Sequence, residues 1–323
     1  MQDMIRQPLK KMLEIKGDSD HTKLIDMLTD LNDYSIGIED VLKEHFDEEN
    51  IVYWMAFQIL MGNVDTQNRN VYLYSPLNSD IWYFIAWDND GCLMRSEYEL
   101  KNFSDQGSWE KGISNYWGNV LFQRCLKSRS FREKLNDAIL ELREYLNKDM
   151  LTSKIESYKN VLKPYLYLMP DAEYEPLTSE QYDQIAASLP DEIEKNYQLY
   201  LESLETPMPF FIGVPTIDGD KLKFNWDVSY DLDAEDITYS VEVARDYLFR
   251  DVIYQNTTLT VPEAEMDLPK AGQYFVRVRA TNTSGKTQDA FDYYVTDEGK
   301  YYGMRCFYIT EDSTVEEDDY EEG

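Results

Sequence analysis

The spacing of hydrophobic residues changes near Pro207, and this change most limits the folds open to the chain. Before it, apolar residues recur at helical spacing, as in Phe131, Leu135, Ile139, Leu142 and Leu146. Beyond Pro207-Met208-Pro209 they alternate with polar residues, as in Leu222, Phe224, Trp226 and Val228. The first pattern predicts helices and the second predicts half-buried strands. We therefore expect an α+β protein with a mostly helical region at residues 1–206 and an all-β sandwich at 207–310.

Charge and composition exclude several classes of function. The 323 residues carry a net charge of -31, which argues against nucleic acids or anionic membranes as partners and leaves basic proteins open. Three cysteines and two histidines predict neither a disulfide framework nor a zinc site. The sequence has no apolar run of membrane-spanning length, so no membrane insertion is expected. Residues 311–323 hold eight acids and no base, which predicts a disordered acidic tail.

The stretch from Asn63 to Asp90 contains the candidate chemistry. It reads as a polar loop, a strand, a turn, and a second strand that ends at Asp88 and Asp90. Asp65 and Asn70 have the Asp-x4-Asn spacing of protein-kinase catalytic loops, in which the Asp takes a hydroxyl proton and the Asn holds magnesium. That spacing alone is a weak signal, because chance produces it in any Asp-rich chain. Its conjunction with a hairpin and Trp-Asp-x-Asp is much rarer.

Three neighbouring carboxylates imply a cation. Asp65, Asp88 and Asp90 repel one another, so at least one is expected to have a raised pKa unless a divalent ion is bound. Strand alternation predicts that Trp82 shares a face with Asp88, from which it could stack on an adenine ring. The alternatives are a turn-forming Asp65, a solvated Asp90 and a Trp82 that belongs to the core.

The same stretch resembles the CotH kinase family, the spore coat protein H type of atypical protein kinase. Gly62 to Asp90 is similar to the family pattern Gly-Asn-x-Asp-x4-Asn-x-Tyr-Leu-Tyr followed by Trp-x-Phe-Ile-Pro-Trp-Asp-x-Asp. Ala86 replaces the usual Pro, and Gly91-Cys92-Leu93 departs from the usual continuation. The similarity extends to about Tyr165.

The resemblance implies roles for six residues and two cofactors. Asp65 would be the catalytic base, and magnesium would be held by Asn70, Asp88 and Asp90. Trp82 and Asn68 would contact ATP. The implied activity is phosphorylation of Ser or Thr on coat or cell-surface proteins. The alternative is a non-catalytic surface or scaffold protein that keeps the fold for binding.

The region before Asp65 predicts helices. Ile25 to Leu31 and Val41 to His45 are amphipathic, and a longer apolar helix stops at Gly62. Kinase folds place a lysine and a covering strand or loop in a small lobe. Neither a Gly-rich loop nor a strand-borne lysine is evident here. We therefore expect a large lobe without its small lobe, a fragment that is inactive by itself.

The second region resembles a fibronectin type III domain. Trp226 on an early strand and the run from Leu268 to Tyr274, similar to a tyrosine corner, carry the likeness. Such modules usually space or display other domains. Together with the CotH resemblance, the module implies a bacterial exported or cell-surface protein.

Overall fold

The computed structural model describes residues 20–66, 70–96 and 106–317. Helices dominate as far as residue 205 and strands dominate beyond it. The helices are α1 (Thr22–Asn32), α2 (Ile38–His45), α3 (Glu48–Met61), α4 (Val120–Lys127), α5 (Arg129–Tyr145), α6 (Lys148–Leu166), α7 (Ser179–Ser188) and α8 (Glu192–Glu205). No helix in these ranges is long and apolar enough to cross a bilayer. The region up to residue 205 is called the helical lobe below.

Helix α3 forms the centre of the helical lobe. It is apolar on nearly every face, which is typical of a helix surrounded by other elements. The Asp47 carboxylate caps its N-terminus by accepting a hydrogen bond from the Asn50 backbone N–H at 2.9 Å. Its C-terminus is capped by Gly62, whose φ of 63° is a left-handed conformation that favours glycine. The predicted stop at Gly62 is therefore observed.

A short hairpin packs on α3 and carries the candidate site. Its strands are β1 (Tyr72–Tyr74) and β2 (Tyr83–Ile85), which pair antiparallel with Leu73 opposite Phe84. The Phe84 side chain is buried, and its ring centre lies 4.7 Å from that of Trp54 on α3. The predicted alternation through to Asp88 is wrong, because β2 ends at Ile85 and Asp88 has a left-handed φ of 51°.

The remaining helices complete the lobe. Phe131, Leu135 and Ile139 of α5 are buried in its core, as the helical spacing predicts. Pro190 lies in a 3-10 turn, Leu189–Asp191, which separates α7 from α8. Pro164, a residue that usually marks a connection between elements, lies inside the last turn of α6. A proline there removes only one of the backbone hydrogen bonds near a helix end.

Two facing sheets form the β region, which we call the sandwich. One sheet has the order β3-β4-β7, with β3 (Thr216–Asp218), β4 (Lys221–Asn225) and β7 (Glu263–Asp267). The other has the order β13-β12-β8-β5-β6, with β9 also paired to β8. Its strands are β5 (Ile237–Ala244), β6 (Val252–Leu259), β8 (Gly272–Asn282), β9 (Thr287–Asp289), β12 (Met304–Ile309) and β13 (Val315–Glu317). A separate hairpin joins β10 (Tyr293–Thr296) to β11 (Gly299–Tyr302).

The edges of the sandwich differ from expectation in two places. Val228 was predicted to continue the buried alternation, but β4 ends at Asn225 and Val228 is 73% exposed. The predicted disordered tail is wrong for Val315–Glu317, which pair with β12 as strand β13. The physical reason is that Val315 packs against the sandwich core and anchors the strand. Residues 318–323 lie outside the described ranges.

Candidate active site

The cap of α3 sets the direction of the chain into the site. After Gly62 the backbone N–H of Asn63 donates to the carbonyl of Gln58 at 3.0 Å, which closes the helix end. The chain then turns at Asp65, whose backbone N–H donates to Asn63 Oδ1 at 3.2 Å. The Asp65 side chain is exposed. The turn therefore presents a carboxylate to solvent from a fixed backbone.

Three amide side chains join the Asp65 turn to the loop after β2. Asn63 Nδ2 donates to Gln58 Oε1 at 3.0 Å and to Asn89 Oδ1 at 3.2 Å. Gln58 Nε2 also donates to Asn89 Oδ1, at 3.0 Å. Gln58 and Asn63 are buried, so these bonds form where water competes poorly. The network fixes the two acid-bearing loops relative to each other.

Gly91 lets the two loops approach closely. A Cβ at this position would lie 3.0 Å from Asp65 Oδ2 and 3.2 Å from Asn63 Oδ1. Gly91 ends a 3-10 turn, Asn89–Gly91, that follows Asp88. A side chain at position 91 would therefore push the Asp65 carboxylate away from the loop that carries the other two acids.

The three predicted acids meet at this junction. Asp65, Asp88 and Asp90 are all exposed. The charge of Asp90 raises the pKa of Asp88 above its usual value, with smaller contributions from burial, a hydrogen bond to Asp90 and the charge of Asp65. The expectation that one carboxylate in the cluster has a raised pKa is therefore met at Asp88. The site is a mouth of concentrated negative charge.

The donor atoms of this mouth suit a hard divalent cation in their chemistry. Carboxylate oxygens are preferred ligands of magnesium, and a cation would relieve the repulsion that raises the pKa of Asp88. In the described ranges, no three His, Cys, Asp or Glu side chains are arranged so that they could already hold a metal ion. A cation would therefore need further oxygen ligands, such as an amide, water or a phosphate.

Buried groups support the Asp65 turn from behind. The Tyr116 hydroxyl lies 3.1 Å from Thr66 Oγ1, and Asn115 Nδ2 donates to the carbonyl of Val64 at 3.4 Å. Burial raises the pKa of Tyr116, so the hydroxyl stays neutral. Burial likewise raises the pKa of the nearby Cys92 thiol to about 12, which makes it a poor nucleophile at neutral pH.

The other predicted site residues are Asn70, Asn68 and Trp82. Asn70 is half-buried with a left-handed φ of 54° just before β1, and its role as a magnesium ligand stays a prediction. Asn68 lies outside the described ranges. Trp82 packs against the helical core, and its backbone N–H donates to the carbonyl of His45 at 2.7 Å. These contacts fit the core interpretation of Trp82, and its contact with a nucleotide also stays a prediction.

Sequence reasoning missed several residues that shape the site. Gln58 had a usable signal, since it is a polar residue in an otherwise apolar helix and is completely buried. Asn89 and Gly91 carried no such signal beyond their place beside Asp90. Tyr116 and Thr66 are 50 positions apart, so only the folded chain shows their contact. Trp87, which directly precedes Asp88 in sequence, was also missed. Its side chain is 57% exposed and its ring lies 5.6 Å from the Tyr72 ring.

Fold and site together define a helical lobe whose short hairpin presents an acidic mouth, followed by a β-sandwich. Comparison with protein-family models identifies the family. Residues 2–200 match the model described as CotH kinase protein. The chain therefore belongs to the CotH kinase family, as the resemblance from Gly62 to Asp90 predicts, and this membership suggests a kinase-like function.

Two further comparisons add little. No curated protein matches the chain. Among solved structures, the structure of surface layer protein SbsC, domains 1-6, aligns at 12% identity with a TM-score of 0.17. The alignment covers 94% of this chain and 39% of that chain. This chain thus spans well under half of that protein's length, and the low TM-score supports no argument.

Proposed function

We propose that the helical lobe is the part of a CotH-like kinase that transfers phosphate from magnesium-ATP to Ser or Thr of coat or cell-surface proteins. The observation that carries the proposal is the meeting of Asp65, Asp88 and Asp90 at one exposed mouth. Membership of the CotH kinase family supports it. The net charge of -31 favours a basic protein as substrate.

The proposed roles follow from the positions of the acids. Asp65 lies on a turn held by Asn63 and takes the proton of the substrate hydroxyl. Asp88 and Asp90 on the loop after β2, with Asn70 just before β1, would hold magnesium. When bound, magnesium neutralises the charge of the ATP phosphates. The amide network of Gln58, Asn63 and Asn89 keeps base and ligands at a constant separation.

We also propose that the sandwich is a fibronectin type III-like module that displays the lobe on a bacterial coat or cell surface. Two observations support the assignment. The Tyr274 hydroxyl donates to the carbonyl of Lys270 at 2.7 Å, the hydrogen bond of a tyrosine corner. Trp226 is buried and its ring lies 5.5 Å from that of Tyr239 on the facing sheet.

Label transfer from γ-labelled ATP to a basic, Ser-rich protein tests the activity. The assay uses residues 1–323 with magnesium present. Asp65→Asn is expected to lower the rate by about a hundredfold or more, the usual contribution of a general base. The matched control is Asp137→Asn on the exposed face of α5, which should leave the rate unchanged.

The activity proposal fails if Asp65→Asn and Asp137→Asn transfer label equally. If residues 1–323 bind the basic protein but transfer no label, the chain is a non-catalytic surface or scaffold protein. Label transfer and binding of the basic protein are therefore both measured on the same samples, which separates the two functions.

A further inference from the structure

One segment of the helical lobe, residues 107–117, contacts both the sandwich and the Asp65 turn. We call it the linking segment. On the sandwich side its Trp109 is buried, with its ring 5.1 Å from the Phe291 ring and 6.0 Å from the Tyr302 ring, both in edge-on arrangements. Such edge-on aromatic pairs are favourable beyond their burial alone. The sandwich thus holds Trp109 between two of its own rings.

Two further contacts attach the linking segment to the sandwich. Ser108 Oγ accepts a hydrogen bond from Nε2 of the buried Gln288 at 2.8 Å. At the other end of the segment the Trp117 ring is stacked 5.5 Å from the Tyr230 ring. The segment is therefore fixed to the sandwich near both of its ends, and it cannot shift as a unit without breaking them.

The middle of the linking segment is also held rigidly. The backbone N–H of Ile113 donates to Ser203 Oγ of α8 at 3.1 Å. Gly112 has a left-handed φ of 49°, and a Cβ there would lie 2.1 Å from Ser203 Oγ. A 3-10 turn, Ser114–Tyr116, follows directly. A displacement at Trp109 is therefore transmitted along a short, packed path to Tyr116.

The far side of the linking segment holds the Asp65 turn. The Tyr116 hydroxyl lies 3.1 Å from Thr66 Oγ1 and 3.5 Å from the carbonyl of Asn63. Asn115 Nδ2 reaches the carbonyl of Val64 at 3.4 Å. Thr66 and Tyr116 are fully buried, so these bonds form away from solvent. The residues on both sides of Asp65 are thereby tied to the linking segment.

From these contacts we propose that the sandwich positions the Asp65 turn through the linking segment. Trp109 and Tyr116 are its two positioning residues, one at the sandwich and one at the turn. The sandwich is then more than a display module, because docking or moving it changes how firmly the Asp65 carboxylate is held. The importance of that position for phosphate transfer rests on the proposed function, whereas the mechanical connection does not.

Hydrogen exchange of the intact chain tests the connection directly. The readout is the exchange of a peptide that spans residues 62–66, compared with a peptide from residues 131–139 of α5. Trp109→Ala is expected to speed exchange in the first peptide by about fivefold or more and to leave the second unchanged, because the support of buried hydrogen bonds is lost. Trp109→Phe, which keeps an aromatic ring, is expected to restore most of the protection.

Two milder variants and a control complete the design. Tyr116→Phe keeps the ring and removes only the hydroxyl at the turn, and Gln288→Leu removes the side-chain donor to Ser108 while the longer bond from the Asp289 backbone N–H remains. Both are expected to speed exchange at residues 62–66 by about two- to threefold even if Trp109→Ala fails to fold. The control is Val261→Ala, at an exposed position between β6 and β7, which should not affect the turn.

The inference is overturned if Gln288→Leu and Tyr116→Phe leave residues 62–66 unchanged, or if both peptides speed up together. A merely structural role would give the second result. The binding of magnesium-ATP, measured on the same variants, separates this inference from the proposed function. If the wild-type chain binds no nucleotide but the exchange results hold, the connection stands and the proposed kinase activity does not.

Discussion

The helical lobe and the sandwich build their cores in different ways. In the described ranges, every buried member of the main sandwich core lies between Phe210 and Ile309. The lobe core, in contrast, includes Met208 and Phe291, which come from beyond the last helix. The sandwich therefore closes on its own residues, whereas the lobe is completed by residues that follow it in sequence.

The difference has a local cause at the flank of the lobe. Phe291 contacts the Trp109 ring at 5.1 Å, and a Cβ at Gly118 would lie 3.4 Å from the Phe291 ring. One aromatic side chain from the sandwich thus fills a site between two loops of the lobe. A helical bundle with loops on one flank leaves such a site open, but two facing sheets cover each other. The lobe therefore depends on the sandwich to complete its core, whereas the sandwich core does not depend on the lobe.

Separating the two regions should have the largest effect. Residues 1–206 expressed alone lose Met208 and Phe291 from their core and should be less stable than in the intact chain by about 5 kcal/mol or more. Residues 207–317 alone should unfold cooperatively and keep most of their stability. Urea denaturation followed by circular dichroism measures both. Equal losses in the two pieces would show that the sandwich depends on the lobe as much as the lobe depends on the sandwich.

A core substitution in the sandwich should have the next largest effect. Trp226→Ala in residues 207–317 is expected to cost about 3 to 5 kcal/mol, because it empties a large buried aromatic site. The matched control is Val228→Ala, two residues along, since Val228 is 73% exposed and should change stability by less than about 0.5 kcal/mol. A cost below about 1 kcal/mol for Trp226→Ala would mean that the ring is not part of the core.

The smallest effect is expected at a surface carboxylate of each region. Hydrogen bonds from Ser284 and Thr283 lower the pKa of Glu235 in the sandwich, and one from Ser128 lowers that of Glu39 in the lobe, both from 4.5. A carboxylate whose pKa is lowered by folding stabilises the protein at pH values above its unfolded pKa. That stabilisation is lost as the pH falls through the folded pKa.

Glu235→Gln and Glu39→Gln should therefore each lower the melting temperature slightly at pH 7, and the difference from the wild type should vanish as pH falls from 7 through the lowered folded pKa of each carboxyl. Thermal melts across this range measure the effect. A difference from wild type that persists unchanged at the lowest pH would show that charge is not its source.

Much of the fold could be predicted from local pattern. The alternation in Tyr274, Val276, Val278 and Ala280 predicts a buried strand face, and all four are buried in β8. The end of α3 could be predicted because Gly62 supplies the left-handed conformation of its cap. Such features depend on residues close together in sequence, where period and capping act directly.

The features that could not be predicted depend on distant contacts. Phe291 resembles any other aromatic residue of the sandwich, and only tertiary packing places it in the lobe core. The three site acids could be predicted from residue spacing and from the family resemblance. The amide side chains that hold their loops together, however, join residues 31 positions apart. Asp88 left the strand alternation because its backbone is left-handed, a conformation that no pattern of apolar residues reports.

We propose that the acidic mouth is a magnesium-nucleotide site in which Asp88 would hold the metal and Asp65 would remain free to act as a base. Calorimetry with magnesium and ATP on residues 1–323 measures this division of roles. Asp88→Asn is expected to weaken binding by about tenfold or more, equivalent to about 1.4 kcal/mol, and Asp65→Asn by much less. Equal losses in the two variants, or unchanged binding in Asp88→Asn, would contradict the account.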